Sequence, residues 1–284
     1  MKIFLNEKPA DITLDSEKTL GDVLSGIEQW VSPAGNRIRK ISIDGKNIPV
    51  EDLGSAFGRE LNDIERLDIT VSSYRELAAE ALNELAAVCV LFAEAPFEER
   101  SKIASNWENS PAAEFMSSSL NDIFELASVC FSGKGLSPAD LAVLLTERLR
   151  EIVDPQREIA NCEPLLKKIA QRMEELPLDM QTGKDEAAAD TINLFSKMGE
   201  KLFRILLIYK SEGLSLESFT PDNLPGQSFL EEFNTALTDI SQAYRDKDTV
   251  LAGDIAEYEL APRILLLFNA LKEVNISTID ITQP

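Results

Sequence analysis

Apolar and polar positions alternate in short runs over the first 73 residues, which is typical of strands. The run "KIFL", the turn "NEKP" and the alternating segment "ADITLD" together favour a hairpin. The alternation returns most clearly in "ERLDITVS", which predicts the last strand of a small sheet. The predicted order is strand, strand, helix, strand, short strand, strand.

One amphipathic helix is predicted between the second and third strands. Its apolar residues recur at helical spacing, and Thr19 or Ser16 is available as the N-cap. The members of the apolar stripe are Leu20, Val23, Leu24, Ile27 and Val31. After this helix, "RIRKISID" and the Asp44-Gly45 turn predict another strand and a reversal of the chain.

From Tyr74 onward the pattern predicts helices almost throughout. The first of them is rich in Ala, Leu and Glu, the strongest helix formers. Ser137 as a cap and Pro138 at the first helical position mark the start of another helix. A helix that starts near residue 155 is predicted to end at Pro177, and residues 211–228 are predicted to form a loop.

The N-terminal residues resemble the ubiquitin-like β-grasp fold. The resemblance rests on "MKIFL", "ITLDSEKTLGDVLSGI", "ISIDGKNIP" and "LNDIERLDITV". It implies a compact domain of the kind that commonly presents a sheet face or an edge strand to partners. Conjugable members of that family end in a free Gly-Gly tail, whereas here the last strand runs into "SSYRELAAEAL". Modifier or sulfur-carrier chemistry is therefore not implied.

The predicted fold class is α+β. A β-grasp domain is expected over residues 1–73 and an all-α helical bundle over 74–273. The tail, residues 274–284, alternates in "VNISTIDIT" and could form a strand. Such a strand would either pair with the open edge of the N-terminal sheet or stay free until a partner completes it.

Charge and hydropathy limit the partners. The chain has 49 acidic and 28 basic residues, a net charge of −21. A field of this sign repels phosphate backbones and anionic lipid, so neither nucleic acid nor a membrane surface is an expected partner. The N-terminus lacks the apolar stretch of a signal peptide, and the longest apolar runs are too short to span a bilayer. We therefore expect a cytoplasmic protein.

The sequence contains no histidine, and this excludes several familiar sites. Ser-His-Asp and Cys-His nucleophiles, most zinc enzymes and the usual di-iron bundles all depend on imidazole. The three cysteines, Cys89, Cys130 and Cys162, show no CxxC spacing and are expected to be buried, reduced thiols. No cofactor or metal is expected.

One segment, residues 253–264 ("GDIAEYELAPRI"), stands out for its carboxylates within an apolar helix. At 100° per residue, Asp254 lies close in angle to Tyr258 and between Val250 and Leu251, whereas Glu257 lies at the border of this face. Asp254 therefore falls on the apolar stripe, and we predict that it is largely buried and hydrogen-bonded to a neighbouring loop or helix, because an unpaired buried carboxylate would be costly. Asp254, Glu257 and Tyr258 are the candidate residues of this segment. They could line a groove, but a structural polar cluster is the simpler interpretation.

Two further features of the segment carry predictions. Glu259 and Arg263 have the favourable spacing of four and are expected to form an exposed ion pair. Pro262 cannot donate a hydrogen bond to the carbonyl of Tyr258, so a kink is expected there.

Three functional hypotheses remain. The leading one is a non-catalytic adaptor or scaffold that binds a protein partner, and a homodimer is left open. The second is a chaperone-like binder of a secreted or flagellar-type subunit, suggested by the acidic helices and the tail. The third is an enzyme that uses carboxylates and a divalent metal.

Overall fold

The computed structural model describes residues 1–10, 12, 14, 17–32 and 35–274. These residues form two compact units. Unit 1 comprises the described residues of 1–149 together with 211–213, and unit 2 comprises 150–210 and 214–274. The predicted C-terminal strand lies outside the described residues, as does much of the strand predicted in "ADITLD".

Unit 1 begins with a mixed five-stranded sheet, which confirms the predicted α+β fold class. The sheet order is β2-β1-β5-β3-β4, with β1 and β5 parallel and the other neighbours antiparallel. The strands are β1 (Lys2–Leu5), β2 (Lys8–Pro9), β3 (Asn36–Ile43), β4 (Lys46–Asn47) and β5 (Arg66–Ser73).

Helix α1 (Leu20–Val31) supplies the core of this sheet from one side. All five residues of its predicted stripe are buried, together with Leu67, Ile69 and Val71 of β5. Thr19 and Asp22 form a capping box at its start, in which each side chain bonds the other residue's backbone N–H. The alternating apolar residues of β5 and the apolar stripe of α1 therefore pack into one core.

The rest of unit 1 is helical. A short helix, α2 (Val50–Ala56), precedes β5, and α3 begins directly after β5, where Ser73 and Glu76 form a second capping box. Ser137 accepts from the N–H of Asp140 at the start of α7, as predicted. The helices are α3 (Tyr74–Glu94), α4 (Phe97–Glu108), α5 (Pro111–Ser119), α6 (Asn121–Phe131) and α7 (Pro138–Val153), whose last turn belongs to unit 2.

Unit 2 is a helical bundle with a continuous apolar core. Its first long helix does not end at Pro177 as predicted, since α8 continues to Gln181 through both Pro164 and Pro177. A proline removes one backbone donor, and burial of the flanking Met173, Leu176 and Asp179 keeps the helix in place. The helices are α8 (Pro155–Gln181), α9 (Asp185–Ser211), α10 (Gly226–Arg245), α11 (Thr249–Asp254) and α12 (Ala261–Glu273).

A buried ionic cluster joins the end of α7 to α8 and α9. Glu151 is 1% exposed and accepts two hydrogen bonds from Arg204, at 2.9 and 2.8 Å. Lys201 lies 2.9 Å from Glu158 and 3.7 Å from Glu151, so it bridges the two carboxylates. Burial alone would raise the pKa of Glu158, but the hydrogen bond and charge of Lys201, with the charge of Arg150, outweigh it and lower that pKa.

Two further properties concern the described residues as a whole. None of their helices combines the length and the hydropathy that crossing a bilayer requires. Cys89, Cys130 and Cys162 are all buried, as predicted.

Candidate protein-binding site

Residues 249–273 follow one helical path in which the winding changes. Asp248 caps α11 by accepting from the N–H of Leu251 at 3.0 Å. A π-helical segment, Ile255–Leu260, then separates α11 from α12, and Pro262 lies in the first turn of α12. Pro262 has no backbone N–H, so a disturbance of the helix is expected there. The disturbance takes the form of wider, π-helical winding in the residues just before Pro262.

Burial repeats every four residues along this stretch. Ala252, Ala256 and Leu260 are all buried. Val250, Asp254 and Tyr258, also four apart, are all exposed. Residues four apart lie on one face of a helix, so each series marks one side of this helical path.

The buried side rests on α8. A Cβ placed on Gly253 would lie 2.8 Å from the Cβ of Pro177, closer than real Cβ atoms approach. Ala252 and Ala256 are almost as small, so the two helices can pack closely along this side. Leu178, which follows Pro177, is among the exposed leucines of the unit.

The prediction that Asp254 is buried is wrong. Asp254 is exposed because Val250 and Leu251, which defined the supposed buried face, are themselves 61% and 48% exposed. The buried side instead combines Ile255 and Leu260 with the small residues Ala252, Gly253 and Ala256, whose weak apolar signal the sequence pattern does not reveal. The structure therefore brings Asp254 and Tyr258 together as predicted, but on the solvent side.

Tyr258 is the most exposed aromatic side chain of this stretch, at 67%. The adjacent carboxylate of Glu257 favours the protonated phenol and so raises the pKa of Tyr258, and the charge of Asp254 adds to this effect. The phenol therefore stays neutral at physiological pH. Its ring is left as an apolar surface beside two carboxylates.

The predicted Glu259–Arg263 ion pair is confirmed at 3.3 Å. Arg263 also contacts Glu232 of α10 at 3.4 Å, so its charge is shared between two carboxylates. Both pairs are partly exposed and worth at most about 1 kcal/mol each. Arg263 therefore pairs with Glu259 and Glu232 rather than with Asp254 or Glu257.

We call five residues of this stretch the acidic-apolar strip: the exposed Val250, Leu251, Asp254 and Tyr258, and the half-buried Glu257. Three are apolar or aromatic and two are carboxylates, and no salt bridge within 4.0 Å involves either carboxylate among the described residues. Exposed apolar side chains that cluster and carry a polar rim are typical of interaction surfaces. Within the described residues, no group of three or more Cys, Asp or Glu is arranged to hold a metal ion.

Sequence reasoning missed a second feature of unit 2, the groove between α9 and α10. A cavity of about 510 Å³ is lined by Ile192, Ile240 and Tyr244, and a second of about 370 Å³ by Phe203, Leu207 and Leu230. Leu207 and Tyr244 are exposed residues of these two helices. Only the pairing of α9 with α10 shows that they line the same groove.

Comparisons with known proteins match two parts of the chain. A family model described as "TP0873 N-terminal domain" matches residues 1–73, and one described as "Domain of unknown function (DUF8042)" matches residues 158–269, which include the acidic-apolar strip. The chain is also 28% identical over 177 residues to an uncharacterised protein of Treponema pallidum (strain Nichols), an alignment that covers 62% of this chain and 84% of that protein. No solved structure matches the chain.

Proposed function

We propose that this chain is a non-catalytic protein-binding protein, an adaptor or scaffold, and that the acidic-apolar strip receives a basic amphipathic segment of its partner. The exposure of Val250, Leu251 and Tyr258 beside the carboxylates of Asp254 and Glu257 is the observation that carries the proposal.

The apolar half of the strip supports binding through burial. Covering exposed apolar surface contributes about 25 cal/mol per Å², and aromatic residues are enriched among the side chains that dominate binding energy. Tyr258 combines a large exposed ring with a polar tip next to the carboxylate of Glu257. A partner could therefore cover the ring while the hydroxyl stays at the polar rim.

The charged half of the strip supports the choice of a basic partner. The turn before α11 adds Asp246 and Asp248, so carboxylates flank the apolar residues at both ends. Lys or Arg side chains on a partner would meet these carboxylates, and the net charge of −21 would steer such a segment from a distance. An acidic partner would be repelled.

The N-terminal sheet supports the adaptor part of the proposal. Its strand order, its parallel β1 and β5 and the helix on one face are consistent with the β-grasp resemblance. A β-grasp module commonly binds through its sheet, so the chain would offer a second docking surface. This part rests on fold analogy alone.

Capture from cells of the source organism tests the proposal. The full chain, the variant Val250→Ser/Tyr258→Ser and the control Val143→Ser are each used as bait; Val143 is an exposed valine of α7, in unit 1. We expect a stoichiometric partner that the control retains and that the double variant loses at least tenfold, with weaker capture at high salt. A partner held equally by all three baits, or none, contradicts the proposal.

A further inference from the structure

The groove between α9 and α10 differs in charge from the rest of the chain. Each cavity is mainly apolar, and the charged residues that line the two are Lys210, Glu231 and Arg245. The groove is thus slightly basic in a protein whose net charge is −21. Like-charge repulsion between two copies of such a protein is weakest where the surface carries no excess of carboxylates.

The two cavities lie along one line of the groove between α9 and α10, which we call the seam. Gly199 of α9 is seven residues after Ile192 of the first cavity and four before Phe203 of the second, so all three share a helix face. A Cβ on Gly199 would meet no side chain and no other element of the described residues within 4 Å. The glycine therefore leaves the seam open between the cavities.

The charges on the seam are arranged for self-complementarity. Glu231 lies at one end and Arg245 at the other, fourteen residues apart on α10, which is about 21 Å. Glu231 accepts from Gln227 and Arg245 donates to the carbonyl of Ser241, and neither has a salt bridge among the described residues. A two-fold axis through the middle of the seam would bring Arg245 of each copy to Glu231 of the other.

We infer that this seam is an interface between two copies of the chain. Each copy places Leu207, exposed at 60%, near the first cavity of the other copy, where Ile192 and Tyr244 would receive it. The seam follows α10, whose 20 residues are about 30 Å long. We expect a monomer-dimer equilibrium that depends on protein concentration. The inference is independent of the acidic-apolar strip, which is not part of the seam.

Charge exchange tests the interface in the full chain. Sedimentation equilibrium between 1 and 200 µM should show a monomer-dimer equilibrium for the natural chain. Arg245→Glu should weaken dimerisation at least tenfold, because it places two carboxylates opposite each other. Adding Glu231→Arg to Arg245→Glu should restore most of the affinity, which a merely structural defect would not allow.

Two controls accompany the exchange. Leu207→Glu should also weaken the dimer. The same substitution at Leu165, an exposed leucine of α8 outside the seam, should leave it unchanged. Circular dichroism confirms that each variant is folded. A chain that is monomeric throughout this range, a dimer that Arg245→Glu leaves intact, or failure of the double exchange to restore affinity would overturn the inference.

Discussion

Gly253 of α11 lies directly against Pro177 of α8, where a Cβ on the glycine would come within 2.8 Å of the proline Cβ and 3.1 Å of its Cα. Proline has little freedom to move aside, and its Cα belongs to the backbone of α8. The close approach sets the distance between the two helices. It also fixes which side of the following π-helical segment faces solvent, and with it the exposure of Tyr258.

Gly253→Ala should therefore destabilise unit 2. Overpacking costs about 1–3 kcal/mol, which exceeds the gain of about 1 kcal/mol that alanine brings in helix propensity. Urea unfolding followed by circular dichroism, with hydrogen exchange of peptides around Pro177, measures the change. Gly26→Ala is the matched control: a Cβ at this exposed glycine of α1 meets nothing within 4 Å, so stability should rise or stay unchanged. Equal effects of the two changes would contradict the close approach.

The ionic cluster makes a second prediction. Glu151→Gln removes the charge that Arg204 and Lys201 share in the interior. Breaking a buried pair costs about 3–5 kcal/mol, and the partial exposure of Arg204 and Lys201 reduces this to about 2–4 kcal/mol. Hydrogen exchange and urea unfolding of unit 2 report the loss. The same substitution at the exposed Glu98 should change stability by less than about 0.5 kcal/mol. A loss below about 1 kcal/mol at Glu151 would contradict the account.

A third prediction concerns Glu163, which accepts hydrogen bonds from Lys167 and from Lys272 of α12, both at 2.8 Å. These hydrogen bonds lower the pKa of Glu163 to about 2. Because the pKa is lower in the folded state, their contribution to stability is present above the unfolded value of about 4.3 and lost as pH falls towards 2. Carboxyl NMR titration should give the low midpoint, and Lys272→Met should raise it. A midpoint near 4.3 in the natural chain would be inconsistent with both hydrogen bonds.

Thiol labelling gives a fourth prediction. Burial, with a smaller effect of Cys130, raises the pKa of Cys89 to about 11. Since the thiolate is the reactive form, Cys89 should react with iodoacetamide at pH 8 about two orders of magnitude more slowly than free cysteine. Peptide mapping locates the label, and a Val143→Cys variant supplies an exposed thiol for comparison. In urea all three cysteines should label, and rapid labelling of Cys89 in the folded protein would argue against its burial.

The regular elements could be predicted where large apolar residues mark the core. The five stripe residues of α1 and the alternation of Leu67, Ile69 and Val71 translate directly into burial. Capping residues are equally informative, because their hydrogen bonds are local: Ser137 begins α7 as expected. The end of α8 is later than its prolines predict, since a proline lowers helix stability but tertiary packing can retain the helix.

The candidate site could be predicted in position but not in orientation. The pattern favours large residues such as Val250 and Leu251 as the buried face, while the actual core side uses the small residues Ala252, Gly253 and Ala256 along with Ile255 and Leu260. Small residues are buried because α8 comes close, and this proximity is a tertiary property. The α9–α10 groove escapes prediction for a related reason, since no pattern within one helix shows which helix lies beside it.

The most direct test of the central claim is photo-crosslinking at position 258. A photoreactive phenylalanine analogue replaces Tyr258 in the full chain, expressed in cells of the source organism, and a second chain carries it at Val143, which is also exposed. The account predicts one dominant crosslinked protein at position 258, absent at 143, whose attached peptide is basic and amphipathic. No crosslink at 258, the same products at both positions, or an acidic attached peptide would contradict it.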